Sequence, residues 1–209
     1  MQIAENIASK SKQVLFVSLE MSDQQLIQKM ISSLGRIQGY RMKRGTLEEE
    51  DWNKICNVSN ELSKLKFNIN SKVRTIQQIE ILAKKLKNNN QLGLLIIDYI
   101  QLLKSEDKYN VREQEVADIS RRLKLLSLEI NIPIVALCQL NRNASRNEPT
   151  LADLRESGSL EQDADNIIFL YKENENDERI ILKLAKQRTG ETGKINLLFR
   201  KQTSEFKEV

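Results

Sequence analysis

The sequence predicts an α/β protein: a mainly parallel twisted sheet with helices on both faces and an antiparallel hairpin on its edge. Three observations lead there. Strand and helix signals alternate along the 209 residues, which is the pattern of strand–helix–strand units. Leu94-Leu95-Ile96-Ile97 is an unbroken apolar run with two β-branched members, as expected of a strand buried on both faces. Two late strands, Ile180 to Ala185 and Ile195 to Phe199, are joined by a polar stretch holding Gly190 and Gly193, which reads as a hairpin.

Each element has its own signal. Val14 to Ser18 is the first strand. Ser22 with Gln25 forms a capping box for a helix that buries Leu26, Met30, Ile31 and Leu34 and stops at Gly35. Thr46 with Glu49 repeats the box before a helix carrying Trp52, Ile55, Leu62 and Leu65. Phe67-Asn68-Ile69 is a short strand. Thr75 with Gln78 opens a helix whose apolar face is Ile79, Leu82, Ala83 and Leu86. Beyond the central strand, Val116, Ile119, Leu123, Leu126 and Ile130 recur at helical spacing. Pro133 introduces a strand from Ile134 to Cys138. A polar loop then runs from Asn141 to about Asp165, and Ile167 to Tyr171 is another strand. Loops of that length inside a domain are commonly functional.

Composition narrows the classes. Forty per cent apolar and 30% charged residues, with only 7 Gly and 2 Pro, fit a globular chain without long linkers. No apolar run reaches the roughly 20 residues of a membrane span, and no signal peptide opens the chain. Cys56 and Cys138 read as reduced core thiols of a cytosolic protein. Zinc chemistry and histidine triads are disfavoured, because the chain has no His. A net charge of +4 is a weak pointer to polyanions.

Three strands lead into polar groups: Glu20 after the first, Asp98 at the end of the second, Gln139 at the end of the third. Ligands bind at the carboxyl ends of strands in open α/β sheets. If these strands are neighbours, the three side chains meet. Phosphoryl transfer from ATP to water needs a carboxylate to orient the water, a group for Mg2+ and a polar sensor of the γ-phosphate. Glu20, Asp98 and Gln139 suit those roles in that order. Taken singly, Glu20 is equally a helix-leading acid. Lys186 and Arg188 lie in the hairpin turn, where cations could reach a neighbouring subunit's phosphates. On spacing alone a solvated loop is the commoner meaning. Arg155 lies among small and polar residues, Asp153 to Ser159, in a stretch able to follow a phosphate backbone or simply to face water.

Several segments together resemble the C-terminal motor domain of the DnaB-type replicative DNA helicases. They are Ser18-Leu19-Glu20-Met21, Arg44-Gly45, Asp51-Trp52, Ile96-Ile97-Asp98-Tyr99 through Leu102, and Ala136-Leu137-Cys138-Gln139-Leu140. Asp153 to Asp165 and Ala185-Lys186-Gln187-Arg188 complete the set. The resemblance implies a RecA-like P-loop NTPase fold and an ATP-dependent, Mg2+-dependent helicase. It implies a homo-hexameric ring moving 5′ to 3′ on single-stranded DNA, in the cytoplasm at the replication fork, with primase and a helicase loader among its partners and no membrane. It assigns Glu20 to polarising the attacking water, Asp98 to supporting Mg2+ and Gln139 to sensing the γ-phosphate. Lys186 and Arg188 reach the next subunit's nucleotide. Arg155, Glu156 and Gly158 belong to the DNA-following loop of the central channel.

Two departures from the family pattern stand out. The phosphate loop Gly-x-x-x-x-Gly-Lys-Ser/Thr occurs nowhere in the sequence, and such loops cradle the β- and γ-phosphates. Residues 1–209 are therefore expected to be one RecA-like motor domain truncated at its N-terminus just after that loop, with Met1 to Ala8 in the following helix. Such a chain should be ATPase-deficient alone. The second departure is Lys29, where the family often carries Arg. The alternatives are a non-catalytic interaction module that joins helicase rings, or another RecA-like ATPase of recombinase or clock type.

Overall fold

The computed structural model describes residues 1–89, 92–140, 148–154, 158–174 and 179–209. Its core is a parallel four-stranded sheet in the order β2-β1-β3-β4. These strands are β1 (Gln13–Ser18), β2 (Phe67–Asn70), β3 (Leu92–Asp98) and β4 (Ile134–Ala136). Around them lie α1 (Gln2–Ala8), α2 (Asp23–Gly35), α3 (Gly39–Arg44), α4 (Glu49–Leu62), α5 (Ile76–Asn88) and α6 (Arg112–Ile130).

The central strands are apolar at nearly every position because each face meets helices. Leu15, Val17, Leu95 and Ile97 pack on one side with Ile79 and Ala83 of α5 and Ile119, Leu123 and Leu126 of α6. Val14, Phe16, Leu94 and Ile96 point the other way, toward Ala4 and Ala8 of α1 and Leu26 of α2. The period of two along each strand thus feeds two cores. All five apolar positions expected on α6 are buried.

Local signals hold at two of the three helix starts where a cap is expected. The Ser22 hydroxyl accepts from the Gln25 N–H at 3.3 Å, and the Gln25 carboxamide oxygen accepts from the Ser22 N–H at 3.0 Å. The Thr75 hydroxyl likewise accepts from the Gln78 N–H at 3.3 Å. α4 differs. Its cap is Glu48, paired with Asp51, rather than Thr46 with Glu49. Asp51 wins because its carboxylate also meets Arg41 at 3.1 Å. Trp52 is exposed, and Val58 is the buried apolar residue of that helix. On α2, Leu34 is exposed. Gly35 is its last residue and Arg36 takes the left-handed cap. A Cβ on Gly35 would lie 3.0 Å from the Ile37 side chain, which explains the small residue.

The hairpin is not on the edge of the parallel sheet. It belongs to a separate antiparallel sheet in the order β5-β6-β7-β8. Its strands are β5 (Asn166–Tyr171), β6 (Arg179–Gln187), β7 (Gly193–Arg200) and β8 (Glu205–Glu208). The fourth strand has one apolar side chain, Phe206, which packs on Phe199 with ring centroids 4.6 Å apart. Ile167 and Phe169 of β5 form a third small core with Leu154. The expected long loop from Asn141 holds a 3-10 turn, Leu151–Asp153, and the short helix α7 (Gly158–Asp163). Cys56 is exposed on α4, not a core thiol, and Cys138 is partly buried. β4 ends the parallel ladder among the described residues, and Val135 and Leu137 are each more than a third exposed there.

Candidate functional site

Strand order decides which side chains can meet. β1, β3 and β4 are consecutive in the sheet and run the same way. Ser18 pairs with Asp98, and Ile97 pairs with Ala136. The carboxyl ends of the three strands therefore lie side by side. After Ser18 the chain turns sharply. The Ser18 hydroxyl accepts from the Met21 N–H at 3.1 Å and donates to the Met21 carbonyl at 2.7 Å. The Leu19 N–H donates to the Asp98 carbonyl at 2.7 Å. This turn brings Glu20 over the end of β3.

The result is one cleft of about 290 Å³ lined by Glu20, Asp98, Tyr99, Leu137, Cys138 and Gln139. All three residues expected to converge are in its wall. The Asp98–Tyr99 peptide bond in that wall is cis. Burial first, and the Glu20 charge second, push the Asp98 carboxyl above its ordinary range, while Lys29 and the chain's amino group pull it down. A half-buried carboxyl facing a second carboxylate is stabilised further by a cation placed between them, beyond the pull of Lys29. The donor set therefore fits Mg2+, which is commonly held through one or two carboxylates, retained waters and substrate phosphates. Among the described residues no cluster of three or more His, Cys, Asp or Glu forms a closed metal cage, so Asp98 would be the chain's own anchor for such an ion.

Lys186 and Arg188 are placed elsewhere. Lys186 lies within β6 rather than on the hairpin tip, because the strand runs on to Gln187. Its ammonium donates to the Glu161 carbonyl of α7. Arg188 follows the strand. Its guanidinium donates to the Gln162 carbonyl at 3.2 Å and pairs with Asp165 at 3.2 Å. Lys124 of α6 reaches the same carboxylate at 2.6 Å. That contact and its neighbouring cations hold the Asp165 carboxyl below the usual range. Neither Lys186 nor Arg188 lines the cleft. Gly158 opens α7 with open space where a Cβ would stand. Arg155 and Glu156 lie outside the described residues.

Sequence reasoning missed Tyr99 and Cys138 in the cleft wall. It also missed Gln101, which sits in the 3-10 turn Ile100–Leu102 behind it. No signal in the sequence singles out Gln101, because its partner lies 38 residues away along the chain.

A family model, the DnaB-like helicase C terminal domain, matches residues 1–208. The chain belongs to that family. It is 39% identical over 99% of its length to the replicative DNA helicase DnaB of Geobacillus stearothermophilus, covering 48% of that protein. It is 42% identical over 99% of its length to the DnaB of Buchnera aphidicola subsp. Baizongia pistaciae, covering 47%. The chain thus spans about half the length of these curated relatives. Its fold superposes on a solved ATPase domain with a TM-score of 0.92 at 33% identity, covering 99% of this chain and 78% of that one. A DnaB-like replicative helicase, solved in a study of its interactions with primase, gives a TM-score of 0.90 at 33% identity, covering 97% of this chain and 52% of that one. The expected RecA-like motor fold of DnaB-like helicases is therefore the fold of this chain.

Proposed function

We propose that this chain is the nucleotide-hydrolysing motor part of a replicative DNA helicase, using ATP and Mg2+. The observation that carries the reading is the meeting of Glu20, Asp98 and Gln139 in one cleft at the carboxyl edge of three parallel strands. Glu20, exposed at the turn after β1, orients and deprotonates the attacking water. Asp98 would hold a Mg2+ ion, which when bound would neutralise phosphate charge. Gln139 donates to the γ-phosphate. Lys186 and Arg188 act on the nucleotide of the next subunit in a hexameric ring. Their attachment to the end of α7 sets where they point. Arg155, Glu156 and Gly158 follow the backbone of single-stranded DNA in the ring's channel, and the motor runs 5′ to 3′. Primase and a helicase loader are the expected partners, at a replication fork in the cytoplasm. No helix of the described residues is long and apolar enough to cross a membrane.

The 209 residues contain no Gly-x-x-x-x-Gly-Lys-Ser/Thr loop. The chain alone should therefore bind ATP weakly and turn it over poorly. The test is phosphate release, followed with malachite green in the presence of single-stranded DNA. It compares the chain with a chimera preceded by a strand and a Gly-x-x-x-x-Gly-Lys-Ser/Thr phosphate loop. The chimera should hydrolyse ATP, and Glu20→Gln in it should lower kcat by about 10²- to 10³-fold, as expected for loss of a general base. Brisk turnover by the chain alone would refute its incompetence. A Glu20→Gln chimera as fast as its parent would remove Glu20 from the mechanism.

A further inference from the structure

The parallel ladder ends before it reaches Gln139. β4 stops at Ala136, and the last main-chain links to its neighbour are the Leu137 N–H donating to the Ile97 carbonyl at 2.9 Å and the Ile100 N–H donating to the Leu137 carbonyl at 3.0 Å. Two residues later Gln139 is exposed and outside any strand. A group that must donate to a phosphate oxygen needs a fixed backbone, because catalysis by positioning is lost over an ångström or so.

A single side chain supplies that fixation. The Gln101 carboxamide oxygen accepts from the Gln139 N–H at 3.2 Å, and its nitrogen donates to the Gln139 carbonyl at 2.9 Å. The same nitrogen lies 2.8 Å from the Cys138 sulfur, a second acceptor. Both main-chain groups of Gln139 are thus held as a neighbouring strand would hold them, and the Gln139 side chain is left for the cleft. Gln101 is itself braced. Arg112, at the start of α6, donates to the carbonyls of Gln101 at 2.8 Å and Leu103 at 2.9 Å, and pairs with Glu115. Gln101 stands three residues from Asp98, so one short turn ties the metal-holding end of β3 to the residue that faces the γ-phosphate.

We infer that Gln101 is a positioning residue for Gln139: its carboxamide extends the β3–β4 ladder by one rung and sets the response of the cleft to a third phosphate. This rests on the proposed sensor role of Gln139. Only a side chain with both an acceptor and two donors at this reach does the job. Leucine offers neither, and glutamate keeps the acceptor but turns a repulsive oxygen toward the Gln139 carbonyl.

The test uses the full 209-residue chain with millimolar Mg·ATPγS and Mg·ADP, and reads the two dissociation constants from NMR shifts of cleft residues. A held donor to a charged oxygen should favour ATPγS by about tenfold. Gln101→Leu should bring that ratio close to one, as should Gln139→Ala, while ADP affinity and Tm stay near the parent values. Gln101→Glu, nearly isosteric, should also lose the preference, which separates the polar pairing from simple filling of space. A Gln101→Leu chain that keeps the parent's preference overturns this inference and leaves the proposed function standing. Equal affinities for the two nucleotides in the parent chain overturn the sensor role and this inference together. No cleft shift with either nucleotide, in the chain or in the chimera that carries a phosphate loop, overturns the nucleotide site and this inference with it.

Discussion

Leu95→Ala gives the most direct measure of what holds the sheet together. Leu95 is fully buried in the central strand β3, beside Leu15 of β1 and Ile134 of β4. Its side chain lies in the core shared with α5 and α6. Removing three carbons forfeits about 0.8 kcal/mol each, or about 2.4 kcal/mol of transfer free energy. Strands on both sides pin the backbone, so the site collapses little and the residual cavity adds to the cost. The expected loss is about 4 kcal/mol, in the upper half of the range for buried leucines. For a domain of this size that corresponds to a Tm lower by roughly 8–16 °C. Ile81→Ala is the control, since Ile81 is 68% exposed on α5 and should change stability by less than about 0.5 kcal/mol. Urea unfolding followed by circular dichroism measures both. Equal midpoints for the two variants would refute the two-core description of the sheet.

Three further outcomes are expected. Ser22→Ala removes the box at the start of α2 and should cost about 1 kcal/mol; an unchanged unfolding midpoint would contradict the cap. Glu148 lies 2.7 Å from Lys183 and 2.5 Å from Lys194, and hydrogen bonds from these lysines pull its carboxyl down to about 2. A depressed acid stabilises the fold above its unfolded value and loses that contribution as pH falls through about 2. The tether of segment 148–150 to β6 and β7 should therefore persist at about pH 4 and release only in strong acid, and NMR titration showing Glu148 protonating near the ordinary value of about 4.3 would contradict it. Asp165→Asn should cost under about 1 kcal/mol, because both of its ion pairs are solvent-screened. It should nevertheless speed amide hydrogen exchange around Arg188, and unchanged exchange there would show that Asp165 does not hold the guanidinium.

What the sequence made legible followed from burial. β3 was readable because four apolar residues in a row suit a strand covered on both sides, and α6 because its apolar spacing matches one buried face. The convergence of Glu20, Asp98 and Gln139 required only that their strands be adjacent. Elements held by specific long-range contacts were not legible. β8 rests on one aromatic pair, Phe199 with Phe206, in a polar segment. The α4 cap moved two residues because Asp51 gains Arg41, a partner that local preference ignores. Trp52 sits at an apolar-looking position of α4 and faces outward. Gln101 is the clearest case on the functional side, since a carboxamide closing on the main chain 38 residues away leaves no trace in spacing.

The outer side of β4 has a practical consequence. Its main chain ends the ladder among the described residues, flanked by the half-covered side chains of Val135 and Leu137. An open strand edge is one along which a further strand can pair. Light scattering of these 209 residues, with and without Val135→Lys, measures whether copies of the chain pair there.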